Sequence, residues 1–326
     1  MFTSTTARAL WYVAPLQAEL REERVEPPLA DESRLVMLAS ALSRGTERLI
    51  ASGLVPEGER ERMRCPHQAG DFPFPVKYGY CAVARVEEGP EELVGKRVFV
   101  LHPHQEVFNA KTAMLQLIPD DIPTPRATLA ANMETALNAI WDSGMSAADR
   151  VTVVGGGLVG VLVTCLAARF PGAEVTLVDV NPARAAMAEA FGARFALPAE
   201  APRHQDVVFH ASASQPGLAT AIASTAPNGT VIELSWYGEK PLMVPLGGHF
   251  HAGRVKLVSS QVGTVSPGHA SRGWSYSSRL QAALRLLRDE RLDALLTETL
   301  PFPALPDAIP RLLARDAQGL VTLVQY

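Results

Sequence analysis

Three glycines at the spacing G-x-G-x-x-G, set between two apolar runs of strand length, constrain this chain more than anything else in it. From Val151 to Gly160 the sequence reads VTVVGGGLVG; a mostly apolar run continues to Phe170, Pro171-Gly172 breaks it, and AEVTLVD ends at Asp179. Strand, tight turn, helix and strand follow in that order, with an acid about twenty residues beyond the glycines, the pattern of a dinucleotide-binding βαβ unit. Gly155 lets the chain turn, Gly157 lets backbone approach a pyrophosphate, and Gly160 lets the helix pack on its strand. Leu158 and Val159 open that helix, whose unpaired amides and positive dipole end face the phosphates. Asp179 can accept both hydroxyls of an adenosine ribose and repels a 2'-phosphate, so NAD is expected over NADP. Arg184 is the counterweight, a guanidinium that could hold that phosphate instead. A flavin stays open, because the fingerprint reads only the ADP half of a cofactor.

The same alternation continues on both sides. A helix is expected from Thr124-Pro125 to about Ser143, with the Thr124 hydroxyl as its cap. Asn181 caps the next helix and Gly192 stops it. A strand at Asp206 to Phe209 ends in His210, Ala211 and Ser212, and another from Thr230 ends at Leu234 and Ser235. Val255 to Ser260 reads as a further parallel strand. The carboxyl ends of such strands are where an open parallel sheet presents its ligand, so backbone of these two loops is expected to position a nicotinamide. Trp236 and Tyr237 could wall a flat substrate or pack in the core.

Outside this region the chain is rich in proline and short strand-like runs. Residues 8–14 and 33–39 flank a charged interval, Ser40 to Ile50 is a turn leading into a short helix, and Pro56 to Gly70 is a solvated excursion. Tyr78 to Val86 alternates as one strand, and Arg97 to Leu101 is another that ends at His102 and His104. An antiparallel, partly closed barrel buries such strands most simply. The expected class is α/β, with a barrel domain over 1–125, a doubly wound dinucleotide-binding domain over 126–262, and a segment over 263–326 that returns to the barrel. With that return, the cleft between the two domains would hold the nicotinamide and substrate.

A chain of 326 residues with net charge −4 can bury two cores and carries no basic signature of nucleic-acid binding. No apolar run reaches the eighteen or so residues that cross a bilayer, so no membrane partner is expected, and the chain reads as soluble and cytoplasmic. The three cysteines, Cys65, Cys81 and Cys165, are too far apart for a C-x-x-C pair or a four-cysteine zinc lobe.

These features together resemble the medium-chain dehydrogenase/reductase superfamily over nearly the whole chain: a GroES-like catalytic domain, an inserted Rossmann domain and a C-terminal return. SRGTERL from Ser43, VKYGY ending at Tyr80 and NMETAL from Asn132 look most like the branch that includes bacteriochlorophyllide a dehydrogenase. Zinc-dependent members place a Cys before their G-T-D, a His in G-H-E, and a Cys or Asp near the helix entering the nucleotide domain. Here the corresponding stretches are Ser43 to Glu47, Gly79 to Cys81 and Ala131 to Glu134, and Tyr80 stands in the histidine's place. The resemblance therefore implies an NAD(P)-dependent enzyme without metal; the alternative is an unusual site from His102, His104 and Glu47.

Without a metal, a protein group must serve the oxygen of the reacting carbonyl. The resemblance puts Tyr80 first as that donor, with Lys77 three residues earlier to lower its pKa. His104, or His102, could relay a proton, and Glu47 or Glu134 could orient the donor or simply serve structure. Arg44 could hold an acidic substrate group or join a salt bridge. The expected activity is alcohol–carbonyl interconversion on a cyclic or aromatic small molecule. Quinone or enone reduction is a second reading, and a non-catalytic dinucleotide-binding or scaffold protein a third. The resemblance implies a homodimer, and the strand near Val255 could leave an edge that a partner covers.

Overall fold

The computed structural model describes residues 3–326, which divide into two compact units, 3–131 with 280–326, and 132–279. In the first unit Thr5–Ala14 (β1) and Gln17–Val25 (β2) form an antiparallel hairpin. The charged interval is thus a strand. Its alternating exposure suits an edge, where Arg21 pairs with Glu19 at 2.7 Å and lies over the Trp11 ring, and such charges discourage pairing with another chain. Glu32–Leu42 (β3) leads into Arg44–Ala51 (α1), the short strands Ala69–Gly70 (β4) and Val76–Lys77 (β5), then Ala82–Glu88 (β6), Arg97–Val100 (β7), Val107–Lys111 (β8) and Gln116–Leu117 (β9). The strand expected from Tyr78 starts only at Ala82. Gly79 interrupts it at φ +144°, a conformation open to glycine, where a Cβ would lie 3.1 Å from the Pro103 backbone.

Thr124–Ala127 (α2) and Ala130–Ser143 (α3) replace the single expected helix. Thr124 is not its cap: Pro123 holds that position, and the Thr124 hydroxyl accepts from Arg97 at 3.1 Å. In the second unit Arg150–Val154 (β10), Leu158–Ala167 (α4), Glu174–Val178 (β11), Ala185–Ala190 (α5), Arg194–Ala196 (β12), Gln205–His210 (β13), Gln215–Ser224 (α6), Thr225–Glu233 (β14) and Lys256–Ser259 (β15) alternate along the chain. The sheet has six strands in the order β12-β11-β10-β13-β14-β15, all parallel, so the strand order reverses between β10 and β13. Val154, Val178, Val208 and Val231 pack with Leu218 and Ile222 on one face. The doubly wound arrangement places its ligand-binding crevice at that reversal, outside the carboxyl ends of the strands.

Pro267–Ala270 (α7) and the start of Tyr276–Leu286 (α8) fold with this unit, so its edge falls at Arg279 instead of residue 262. Arg279 explains the difference. Its buried guanidinium donates to Glu134 at 3.0 Å, to Asn138 at 2.5 Å, and to the carbonyls of Val262 and Thr264, tying residues 262–279 to α3.

The remaining chain returns to the first unit through Leu296–Pro301 (β16), Leu305–Leu312 (α9) and Val321–Gln325 (β17). β17 lies antiparallel to β3, with Val324 opposite Ser40, and so carries the last residue, Tyr326, to the middle of the barrel sheet. Leu35, Met37, Ala84, Val98 and Phe108 form the core beneath it.

Candidate functional site

In the second unit the glycine turn is built as its residue types require. Gly155 holds φ +112°, and a Cβ there would lie 2.7 Å from the Ser212 nitrogen; a Cβ on Gly160 would lie 1.8 Å from the Gly155 carbonyl oxygen. A Cβ on Gly157 would meet nothing within 4 Å, so this position faces open space at the start of α4, beside Leu158 and Val159. The turn therefore has room at Gly157 and none where helix and strand touch. Asp179 follows β11, half-buried, and accepts from the backbone of Gly156 at 2.5 Å and of Asn181 at 2.8 Å. A Cβ on Gly156 would meet both the Asp179 carboxylate and the Arg184 side chain at 3.1 Å, which places the two charged groups together at the turn.

Across the reversal, β13 ends in His210, with Ala211 and Ser212 beyond it, and β14 ends in Glu233, with Leu234 and Ser235 beyond it. His210 and Glu233 are register partners in adjacent strands. The buried His210 ring lies 2.8 Å from Glu233 through Nδ1 and 2.7 Å from Ser212 Oγ through Nε2. Glu233 also accepts from the Ser235 amide at 2.7 Å and the Tyr237 hydroxyl at 3.2 Å. Burial pushes the Glu233 carboxyl up, yet the hydrogen bonds from His210 and Ser235 outweigh it and hold the group below its ordinary 4.5. A carboxyl depressed in the folded state contributes stability that is complete above its unfolded pKa and is lost as pH falls through the folded one. Glu233→Gln is thus expected to flatten the loss of urea resistance on acidification through about pH 4, read from circular dichroism; a slope identical to that of the parent contradicts the assignment.

In the first unit, Glu47 and His104 come together inside the core. Both are essentially unexposed, and His104 Nε2 lies 3.1 Å from Glu47 Oε2. Glu47 sits in the first turn of α1, where it accepts the Ser43 amide at 2.7 Å, and Tyr12 of β1 donates to it at 2.8 Å. Burial first, then the charge of Glu47, keeps the Tyr12 hydroxyl well above its usual range and therefore protonated. His104 Nδ1 reaches Ser40 Oγ at 2.7 Å, which in turn meets the Tyr326 hydroxyl at 3.0 Å. Tyr80 is half-buried and donates to Ser43 Oγ at 2.5 Å; burial raises its pKa, so it too remains a donor at neutral pH.

Other expected partners lie elsewhere. Lys77 does not meet Tyr80: its ammonium is 2.6 Å from Glu23 and 3.0 Å from Gln105, beside the Trp11 ring, and the Tyr80 hydroxyl is raised, not lowered. His102 stacks on Phe108 at 3.6 Å, and burial holds its pKa well below the usual value, so it is a neutral core ring. Glu134 pairs with Arg279, and Arg44 donates to the carbonyls of Ala317, Gln318 and Gly319, so it is engaged in closing the C-terminal return. Among the described residues no group of three or more His, Cys, Asp or Glu has an arrangement that could hold a metal ion, and no helix is long and apolar enough to cross a membrane. Sequence reasoning missed Tyr12, Ser40, Tyr326 and Glu233. Only Glu233 left a signal, an acid at a strand end matching the histidine at the end of the strand before.

The fold, a GroES-like barrel unit whose chain is interrupted by a Rossmann unit, is shared with several solved dehydrogenases. L-Idonate 5-dehydrogenase from Escherichia coli is similar in structure at TM-score 0.80 and 14% identity, over 99% of each chain. 2R,3R-Butanediol dehydrogenase from Bacillus subtilis matches at 0.77 and 19% identity, over 98% of this chain and 99% of its own. A protein of Escherichia coli described as a short-chain alcohol dehydrogenase, solved with NADH, matches at 0.78 and 16% identity, over 98% and 99%. At such identities the likeness is one of fold. No protein-family profile and no curated protein sequence matches the chain.

Proposed function

We propose that the chain is an NAD(P)-dependent, zinc-independent oxidoreductase that interconverts an alcohol and a carbonyl on a cyclic or aromatic small molecule. The observation that carries this reading is the glycine cradle at the sheet reversal, open at Gly157 and bordered by the Asp179 carboxylate. The turn from Gly155 through Gly160, with Leu158 and Val159, holds the pyrophosphate. Asp179 takes the ribose hydroxyls beside Arg184, and the loops at His210 to Ser212 and Leu234 to Ser235 hold the nicotinamide end. When bound, the dinucleotide supplies or takes the hydride. Tyr80, which gives its one hydroxyl proton to Ser43 Oγ in the free chain, turns it to the substrate oxygen when substrate binds. Ser43 holds the Tyr80 hydroxyl, and Glu47 with His104 fixes the backbone of Ser43. Half-buried Trp236 and Tyr237 support a flat substrate. The chain acts as a homodimer, supported by the edge strand β15, whose Leu257 and Val258 are exposed at 39% and 36%.

Tyr80→Phe is expected to lower kcat with a cyclic ketone about 100-fold and leave the affinity for NADH unchanged, since it removes one donor to a developing oxyanion. Steady-state assays with NADH and a panel of cyclic ketones, on protein whose metal content is measured in parallel, check this. Undiminished turnover in the variant, or activity that follows bound zinc, contradicts the reading. Enone or quinone reduction is a second reading, favoured by the mutual satisfaction of His104 and Glu47: hydride added to carbon takes no proton from an alcohol.

A further inference from the structure

The dinucleotide reading uses the backbone of the loop after β13 and leaves its side chains without a task. Their geometry has a direction. Glu233 is an acceptor, so His210 Nδ1 carries the proton between them, and in the neutral ring Nε2 is left to accept. The neighbour of Nε2 is Ser212 Oγ, 2.7 Å away, which donates to the ring in that tautomer. Ser214 accepts from the Gly217 amide at 3.1 Å, which leaves its own hydroxyl to donate to Ser212 Oγ at 2.9 Å and fix its orientation. Glu233 is itself held by Ser235 and Tyr237, so neither the acid nor the imidazole needs to move to keep this alignment. Serine, histidine and carboxylate in this order, each within hydrogen-bond reach of the next, form a nucleophile, a base and a group that orients the base. The imidazole is buried, whereas Ser212 is half-buried at the carboxyl end of a central strand, its backbone against Gly155 and its Oγ beside Gly217 at the start of α6.

We propose that Ser212 is an activated nucleophile, served by His210 and Glu233, that accepts the acyl group of small activated esters. Ser212 Oγ forms a bond to the ester carbonyl carbon and passes its proton to His210 Nε2. The bond to the leaving oxygen then breaks, and His210 returns the proton to that oxygen, giving an alcohol or phenol and an acyl-serine. Water hydrolyses the acyl-serine by the same route, releasing the carboxylic acid and restoring the serine; no redox partner is consumed. This activity needs neither hydride transfer nor a bound dinucleotide.

The test uses the full chain and p-nitrophenyl acetate, with p-nitrophenol release followed by absorbance and the acetylated residue found by peptide mass spectrometry. The expected result is one acetyl group on Ser212, formed at a rate that falls about 100-fold or more in His210→Gln. Acetyl at a lysine, tyrosine or cysteine with Ser212 unmodified overturns the proposal in the parent protein alone, whatever the variants do. Ser212→Ala, which removes one oxygen, provides the second arm: loss of p-nitrophenol release with an unchanged melting temperature supports the proposal, and release at the parent rate overturns it.

Discussion

Gly157→Ala is expected to fold as the parent does and to lose dinucleotide binding by tenfold or more, while Gly160→Ala is expected to lose stability. The two substitutions add the same methyl group three residues apart. At Gly157 it enters open space, with no protein atom within 4 Å, so stability should change by less than about 0.5 kcal/mol, as at an ordinary surface position. That space is where the backbone must come close to a phosphate, and a methyl group there separates the two. At Gly160 the same group would lie 1.8 Å from the Gly155 carbonyl oxygen, a backbone atom that cannot rotate away. Moving α4 off its strand to make room costs about 1–3 kcal/mol, the usual range for overpacking. Urea titrations give the stabilities, and NADH fluorescence gives the binding. If Gly157→Ala binds NADH as tightly as the parent, the cradle is not a phosphate site.

Glu47→Ala is expected to destabilise the barrel unit by about 3–5 kcal/mol, the cost of removing one partner from a buried charged network. Nothing in solvent can replace the carboxylate, because Glu47 is fully buried. The Tyr12 hydroxyl, the Ser43 amide and His104 all lose their acceptor at once. Glu47→Gln keeps one accepting oxygen and should cost less, about 1–2 kcal/mol. Urea midpoints for the two variants check the order; a loss below about 1 kcal/mol for the alanine variant would mean that the three partners find other acceptors.

The Rossmann unit was legible because its information is local. The glycine spacing, the acid at Asp179 and the Asn181 cap, which accepts from Ala183 at 3.0 Å, all act within a few residues or one βαβ step. Even here β12, three residues long, left too short a pattern to read. The barrel unit was legible only in outline. β2 looked like a charged surface interval because an edge strand carries charge on purpose, and the break at Gly79 cannot be told from a strand glycine without the close approach of Pro103. Contacts that join distant parts of the chain left no trace at all: Ser40 meets Tyr326 across 286 residues, and Lys77 finds Glu23 across 54. Tyr80 was named from a resemblance, His104 from its place beyond a strand end, and Glu47 as one of two acids able to orient a donor; the three are linked in the barrel unit through Ser43, with Lys77 outside.

The central claim is that this chain binds a nicotinamide dinucleotide through the glycine turn and Asp179. Parallel calorimetric titrations with NADH and NADPH test it most directly. The account predicts one NADH per chain and weaker binding of NADPH, whose 2'-phosphate meets the Asp179 carboxylate beside Arg184. Saturable binding of neither nucleotide would contradict it.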